Sequence, residues 1–158
     1  MFVLISAVGK NREIGKNNGL IFRIKDDLQF FRDITRGHKV VMGRKTWESL
    51  PNKLKNRENI VISSHNFDGP DQIIHNLDNF ITENKDSTEE IFIIGGSMIY
   101  EALLPYAQTL YLTEIDASDP SATTFFPNFD KTNYTANRLK QGECDNLTYS
   151  IIKYTKNN

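Results

Sequence analysis

Short apolar runs recur along the chain, and each predicts a strand that is buried on both faces of a sheet. Between these runs lie segments whose apolar residues recur at helical spacing, as Leu28, Phe31 and Ile34 do. The predicted strands up to residue 104 are 2–8, 38–42, 59–64, 72–75 and 91–94. The predicted helices are 25–35, 44–50, 77–84 and one that begins at Ser97.

Strands dominate after residue 104, where the alternating segment 109–115 is followed by two more. These two, 133–139 and 149–154, have no helix between them, and a turn containing Gly142 and Asn146 predicts that they pair antiparallel. Strands that alternate with helices favour a parallel sheet. We therefore predict a single α/β domain over all 158 residues, with a central, mostly parallel mixed β-sheet, an antiparallel C-terminal edge and about four flanking helices.

The composition is that of an ordinary globular protein, so it changes this picture little. The formal net charge of −1 favours neither nucleic acid nor a membrane surface as a partner. Cys144 is the one cysteine, which excludes an internal disulfide and favours an intracellular protein. No apolar run approaches the ~18 residues of a membrane span. We expect a cytoplasmic monomer that binds neither nucleic acid nor membrane.

A buried strand ends at Gly95 and Gly96, and a helix begins directly after them. Glycine lets a ligand approach the backbone closely, and the unpaired N–H groups of a helix start attract anions. The arrangement recurs at Gly43, where Arg44 and Lys45 occupy a helix start that disfavours cations. A bound phosphate group explains both segments. The alternatives are a ligand-free turn in the first case and a solvated Arg-Lys pair in the second.

Ligands of parallel α/β sheets bind beyond the carboxyl ends of the strands. Ala7 and the polar residues Ser63, Ser64 and His65 also fall at predicted strand ends. Together with the two glycine turns, they define one predicted rim for ligand binding. The G-x-G-x-x-G fingerprint of common dinucleotide sites is absent, and the basic residues suit a ligand that carries an extra phosphate.

Two charged residues are candidates for binding a second ligand. Asp27 lies in the first turn of a predicted helix beside Asp26, where the helix dipole alone explains acidic residues. Asp27, however, falls on the same side as the apolar Leu28 and Phe31. Arg57, in a polar loop, is suited to bind a carboxylate through two parallel hydrogen bonds, or is simply solvated.

Residues 9–20 are rich in glycine and asparagine, which predicts a loop. Ile14 and Leu20 are apolar residues within it, so they pack against either the domain surface or a bound ligand. The segment 116–124 is a second predicted polar loop, after which Phe125, Phe126 and Pro127 are expected to re-enter the core.

These features, taken in order, form a pattern that covers nearly the whole chain. The residues that carry it are Ile14-Gly15, Leu20, Asp27, Phe31, Met42 to Ser49, Arg57, Ile94-Gly95-Gly96, Tyr100, Leu110 to Thr113 and Phe126-Pro127. In this order they resemble the dihydrofolate reductase family. The resemblance implies NADPH-dependent reduction of 7,8-dihydrofolate to 5,6,7,8-tetrahydrofolate, by hydride transfer to C6 and protonation of N5, in support of one-carbon and thymidylate metabolism. It implies antifolate inhibitors as further ligands and no metal.

The resemblance also implies roles for individual residues. Asp27 would be the buried carboxylate that faces the pterin, with Leu20 and Phe22 beside it in the catalytic site, and Arg57 would hold the glutamate tail. The implied substrate-binding residues are Ile5, Ala7, Asp27, Leu28, Phe31, Leu50, Leu54, Arg57, Ile94, Tyr100 and Thr113.

A larger set would bind NADPH. The implied residues are Ala7, Ile14, Gly15, Asn18, Gly19, Leu20, Gly43, Arg44, Lys45, Thr46, Ile62, Ser63, Ser64, His65, Ile94, Gly95, Gly96, Ser97, Met98, Ile99 and Tyr100. Arg44, Ser64 and His65 would lie nearest the 2′-phosphate. The segment 15–20 resembles the mobile lid that closes over the nicotinamide and excludes water.

Two departures from the family pattern are visible. Ile21 and Phe22 stand where the family usually has Pro-Trp, so the indole N–H that bridges the pterin to a water is lost. Thr123 stands where many bacterial members have an aspartate that braces the lid, which predicts altered lid closure. Because Asp27 is retained, we expect an active enzyme in which the water beside the pterin and the closure of the lid are altered. Two alternatives are a related NADPH reductase acting on another pterin or a pyrimidine, and a nucleotide- or folate-binding module without turnover.

Overall fold

The computed structural model describes residues 1–17 and 19–158. The strands are β1 (Phe2–Val8), β2 (Glu13–Lys16), β3 (Gly19–Leu20), β4 (Lys39–Gly43), β5 (Glu58–Ile62), β6 (Gln72–Ile74), β7 (Ile91–Gly95), β8 (Ala107–Ile115), β9 (Thr124–Phe125), β10 (Tyr134–Cys144) and β11 (Leu147–Lys156). The helices are α1 (Lys25–Thr35), α2 (Arg44–Ser49), α3 (Leu77–Asn84) and α4 (Ser97–Leu103), with short 3-10 turns at Leu104–Tyr106 and Lys131–Asn133. None of the helices in the described ranges is long and apolar enough to cross a membrane.

The main sheet has the strand order β10-β11-β8-β1-β7-β4-β5-β6. All neighbours from β8 to β6 pair in parallel, whereas β11 pairs antiparallel with both β8 and β10. The α/β fold with a mostly parallel sheet and an antiparallel C-terminal edge is therefore confirmed. The structure also contains a small second sheet, in the order β3-β2-β9, which the sequence did not predict.

Strand β1 lies in the middle of the sheet and is buried on both faces, as its apolar sequence predicts. Because side chains alternate along a strand, Phe2 and Leu4 pack into the cluster on one face. Val3 and Ile5 pack into the cluster on the other face, together with Met42 of β4. The two apolar clusters hold the sheet between them and fix the positions of its strand ends.

The prediction of a continuous loop over residues 9–20 is wrong in part. Residues Glu13–Lys16 form β2, which pairs with β3 and with the distant strand β9. These strands are short and polar, so their local pattern does not distinguish them from loop, and the pairing partner decides the conformation. The end of the second predicted loop, at Thr124, is likewise a strand residue. Of the residues expected to re-enter the core after it, Phe126 is fully buried, but the prediction is wrong for Phe125, which is exposed because adjacent side chains point in opposite directions as the chain leaves β9. Asn18 lies outside the described residues.

The predicted turn between the last two strands is confirmed at Asn146 but wrong at Gly142, because β10 continues as far as Cys144. The turn is formed by Asp145 and Asn146, which both have positive φ values, of 51° and 64°. Asp and Asn tolerate this left-handed conformation better than most residues do. Gly142 serves packing instead, because a Cβ there would lie 2.9 Å from the hydroxyl oxygen of Tyr149.

Asn59 at the start of β5 organises the loop that precedes the strand. It is fully buried, and its amide nitrogen donates to the carbonyls of Leu54 (2.8 Å) and Arg57 (3.0 Å). Its amide oxygen accepts from the backbone N–H of Leu54 at 3.1 Å. One side chain thus holds the backbone of two residues that the sequence places in the substrate site.

We expect Asn59→Ala to lower the free energy of unfolding by about 1–3 kcal/mol, because it leaves buried backbone groups of the loop without partners. Denaturant unfolding measures the change. The matched control is Asn137→Ala on the exposed face of β10, where a change within about 0.5 kcal/mol is expected. Equal effects of the two variants would contradict the role of Asn59.

Candidate active site

A cleft of about 730 Å³ opens where the parallel strands β4, β5 and β7 end. Helices α2 and α4 begin at its wall, capped by Gly43 and Gly96. The predicted cofactor-binding residues that line it are Ile14, Gly15, Gly43, Arg44, Lys45, Thr46, Ile62, Ser63, Ser64, His65, Ile94, Gly95, Gly96, Ser97, Met98, Ile99 and Tyr100. The structure therefore brings both glycine turns and the Ser-Ser-His segment together on one rim.

Side chains would crowd their neighbours at two of the three glycines in these turns, Gly43 and Gly95. Gly95 has a φ of +122°, and a Cβ there would lie 3.3 Å from the hydroxyl oxygen of Tyr100. A Cβ on Gly43 would lie 3.3 Å from Cγ1 of Ile99. A Cβ on Gly96 would lie 3.6 Å from Oγ1 of Thr46, so the starts of the two helices are neighbours. Backbone N–H groups from two helix starts thus face the same cleft, which suits a phosphate-bearing ligand.

One end of the cleft carries exposed cationic side chains. Arg44 and Lys45 are both exposed, and Nε of Arg44 lies 3.1 Å from Oε1 of Glu48 on the next turn of α2. His65 is exposed on the same wall. An exposed pair within one helix contributes little stability, so Arg44 is available to an anion in the cleft.

His75 is a cleft residue that sequence reasoning missed. Its Nδ1 lies 2.8 Å from the carbonyl oxygen of Ser63, and its Nε2 lies 2.9 Å from Oδ1 of Asn66. His75 directly follows β6, whose carboxyl end lies on the same rim, and this placement was the signal available from the sequence. The other cleft residues without a sequence prediction are Ser6, Ser49, Leu77 and Thr124.

Asp27 lies in the first turn of α1, and its carboxylate is directed at the sheet. The hydroxyl of Thr113, near the end of β8, donates to Oδ1 of Asp27 at 2.5 Å. Burial raises the pKa of Asp27 above its ordinary value, and the Thr113 hydrogen bond offsets part of this shift. The neighbouring Asp26 accepts instead from the hydroxyl of Tyr149 at 2.5 Å. The two aspartates thus have separate partners.

The predicted substrate wall divides between apolar clusters. Ile5, Phe31, Leu50, Leu54 and Ile94 share one cluster on the face of the sheet that α1 covers. In addition, Leu28 is half-buried on α1, and the hydroxyl of Tyr100 donates to the carbonyl of Ile5 at 2.6 Å. Ala7 and Phe22 pack in a different cluster.

Arg57 is a half-buried cation beside this wall. Its guanidinium carbon lies 5.9 Å from the centre of the Phe31 ring, and Nη2 donates to the carbonyl of Arg32 at 3.2 Å. Its Nε is buried without a hydrogen-bond partner in the described part of the chain. Burial and the positive charges of Arg36 and Arg32 lower the pKa of Arg57. A carboxylate ligand would relieve both the unpaired donor and the like-charge repulsion.

The predicted lid segment, 15–20, contributes Gly15 to the cleft, and Ile14 directly before it also lines the cleft. Gly19 and Leu20 form β3, whose backbone pairs with β2. The backbone N–H of Thr123 donates to the carbonyl of Gly15 at 3.0 Å, so a contact between this loop and β2 exists without an aspartate at that position.

The glycine turns and the exposed basic side chains line one cleft at the rim of an α/β sheet, and the half-buried carboxylate of Asp27 contacts strand β8 of the same sheet. A cleft of this kind, at the carboxyl ends of parallel strands, is typical of an enzyme that binds a nucleotide cofactor.

Comparison with known proteins makes the assignment specific. The model of the dihydrofolate reductase family matches residues 1–156. The dihydrofolate reductase of Bacillus subtilis (strain 168) is 37% identical over 167 aligned positions, which cover 100% of this chain and 96% of the relative. That of Staphylococcus haemolyticus is 38% identical over 80% of this chain and 78% of its own. The chain therefore belongs to the dihydrofolate reductase family, and the prediction of an oxidoreductase is confirmed.

A solved structure of dihydrofolate reductase from Enterococcus faecalis, complexed with NADP(H) and RAB-propyl, is similar throughout. Its TM-score is 0.88 at 27% sequence identity, and the alignment covers 100% of this chain and 97% of that one. The similarity extends over the sheet, the helices and the rim that carries the cleft.

The raised pKa of Asp27 predicts how stability depends on pH. Because the folded-state pKa lies above the unfolded-state value, the native protein binds more protons between the two values, and its stability falls as the pH rises through that window. Asp27→Asn removes this titration. We expect the ligand-free variant to be more stable than the wild type at neutral pH, with a gap that shrinks toward acid. Urea unfolding across pH measures this gap, and a gap independent of pH would contradict the prediction.

Proposed function

We propose that this enzyme reduces 7,8-dihydrofolate to 5,6,7,8-tetrahydrofolate, with NADPH as the reductant, in support of one-carbon and thymidylate metabolism. The observation that carries the proposal is the half-buried carboxylate of Asp27, hydrogen-bonded by Thr113 beside an apolar wall. The pterin of dihydrofolate has an amidine-like edge of N–H donors, and a carboxylate accepts two parallel hydrogen bonds from such an edge. The family membership of the chain supports the same substrate.

The cofactor is NADPH, and the residues of the cleft fit it. Gly43 and Gly95 line the cleft and carry no side chains, so their backbone would be accessible to the pyrophosphate. Arg44 and His65 lie at the cationic end, where they would bind the 2′-phosphate. When bound, NADPH supplies the hydride that is transferred to C6 of the pterin.

The proton that N5 gains depends on the charge of Asp27 in the complex. With the pterin bound, the carboxylate of Asp27 favours the protonated form of the ring system, because opposite charges at close range stabilise each other. Thr113 orients that carboxylate by its hydrogen bond. In total, the reaction adds one hydride, at C6, and one proton, at N5, across the C6–N5 double bond.

Arg57 would hold the glutamate tail of the substrate. Its buried Nε and the apolar surface of Phe31 provide a donor and a stacking face at the far end of the substrate wall. The expectations of a cytoplasmic, monomeric enzyme that binds antifolates stay predictions.

The direct test follows the near-ultraviolet absorbance of NADPH with and without dihydrofolate. We expect the absorbance to fall only when dihydrofolate is present. Asp27→Asn should lower kcat at neutral pH by about 10²-fold or more, with partial recovery in acid where solvent protonates the substrate. Binding of both ligands without loss of absorbance would overturn the proposal, and an unchanged pH profile would remove Asp27 from the proton pathway.

The cationic end of the cleft predicts the cofactor preference. Arg44→Ala should reduce the ratio of kcat/KM for NADPH to that for NADH by about tenfold, since a charge-assisted hydrogen bond to phosphate is lost. The matched control is Glu48→Gln, which removes the helical partner of Arg44 and should keep or raise the ratio. If Arg44→Ala leaves the ratio unchanged, Arg44 does not contact the 2′-phosphate and is simply solvated.

A further inference from the structure

Glu13 is a charged side chain buried where the sequence suggested an exposed loop. Only 1% of its surface is exposed. Its Oε1 accepts from the backbone N–H of Asn11, and its Oε2 accepts from the backbone N–H of Asp119, both at 2.7 Å. The two donors belong to different segments, the turn between β1 and β2 and the loop that follows β8. One carboxylate therefore joins two loops that are distant in sequence.

The carboxylate is stabilised as an anion despite its burial. Burial alone would raise the pKa of Glu13, but hydrogen bonds from backbone N–H groups, including those of Asp119 and Asn11, bring it below the ordinary value. Gly9 completes the enclosure, because a Cβ there would lie 2.5 Å from Oε1 of Glu13 and 2.9 Å from Cε2 of Phe22. The side chain thus occupies a closely packed site with matched donors.

The same two segments are joined by backbone bonds around Glu13. The N–H of Lys10 donates to the carbonyl of Ala117 at 2.8 Å, and that of Thr123 donates to the carbonyl of Gly15 at 3.0 Å. Strand β9 pairs with β2 beyond them. The side-chain bonds of Glu13 lie between these contacts, so they fix the position of β2 relative to the loop after β8.

The next two residues of β2, Ile14 and Gly15, form part of the cleft wall. We propose that Glu13 is a positioning residue of the cofactor site, whose carboxylate holds β2 where Ile14 and Gly15 contact NADPH. This inference rests on the proposed function for the identity of the cofactor. The two hydrogen bonds of the Glu13 carboxylate do not reach the substrate wall around Asp27, which is built from residues of β1, β8 and α1.

The test compares Glu13→Gln with Glu143→Gln, an exposed glutamate of β10. Glutamine is nearly isosteric with glutamate, but its amide NH₂ group is a donor. It would face one of the two backbone N–H groups and could not accept a hydrogen bond from it. We expect Glu13→Gln to raise the Kd for NADPH by about tenfold, as the loss of one hydrogen bond to a charged group predicts. The Kd for dihydrofolate, measured without cofactor, should not change. Glu143→Gln should alter neither constant.

A purely structural role predicts a different result. It would lower the melting temperature of Glu13→Gln while leaving the Kd for NADPH unchanged, or raise both dissociation constants in parallel, and either result overturns the proposal. If Glu13→Gln does not fold, Glu13→Asp keeps the charge and should show a smaller, NADPH-specific rise. Since NADPH binding is measured directly by fluorescence, a wild-type protein that binds NADPH but does not turn over dihydrofolate refutes the proposed function without affecting this test.

Discussion

The parallel hydrogen bonding of β1, β7, β4, β5 and β6 makes all of these strands end at one edge of the sheet. Parallel neighbours require crossover connections, so the chain leaves this edge several times, and two of its helices begin there. Segments distant in sequence, around Gly43, Ser63, His75 and Gly95, consequently converge on one cleft. The chemistry of the rim follows from this geometry, because residues placed after buried strands have no other edge to occupy.

The same constraint explains which parts of the site were predictable. The apolar runs identified the central strands, and the glycines that end them identified two turns that line the cleft, without any knowledge of the tertiary structure. His75 was missed although it obeys the same rule, because the strand before it has only three residues and little apolar signal. The contact between Asp27 and Thr113 joins α1 to β8 and has no local signal. From the residues alone, only the position of Asp27 on the apolar side of α1 distinguished it from an acid that stabilises the helix dipole.

Segments whose conformation depends on a distant partner were not predictable. Residues Glu13–Lys16 form a strand because Thr124–Phe125 pair with them, and neither segment has a strand pattern of its own. Glu13 lies in the segment predicted as a polar loop, and backbone donors from two distant segments stabilise its buried carboxylate. The start of the turn at Asp145 and Asn146 was misplaced for a related reason, since Gly142 is required by the ring of Tyr149 rather than by the backbone.

Asp27 and Glu13 are two carboxylates with different surroundings, and the difference suits the roles proposed for them, ligand binding for Asp27 and positioning of β2 for Glu13. Both lose hydration on burial, yet the pKa of Asp27 is raised and that of Glu13 is lowered. The difference lies in the donors. Two backbone N–H groups satisfy both oxygens of Glu13, whereas the described residues supply Asp27 with one hydroxyl donor, Thr113, on one oxygen. Asp27 therefore retains acceptor capacity that a ligand with paired N–H groups would satisfy, and the incomplete compensation of its burial would make the proposed binding favourable.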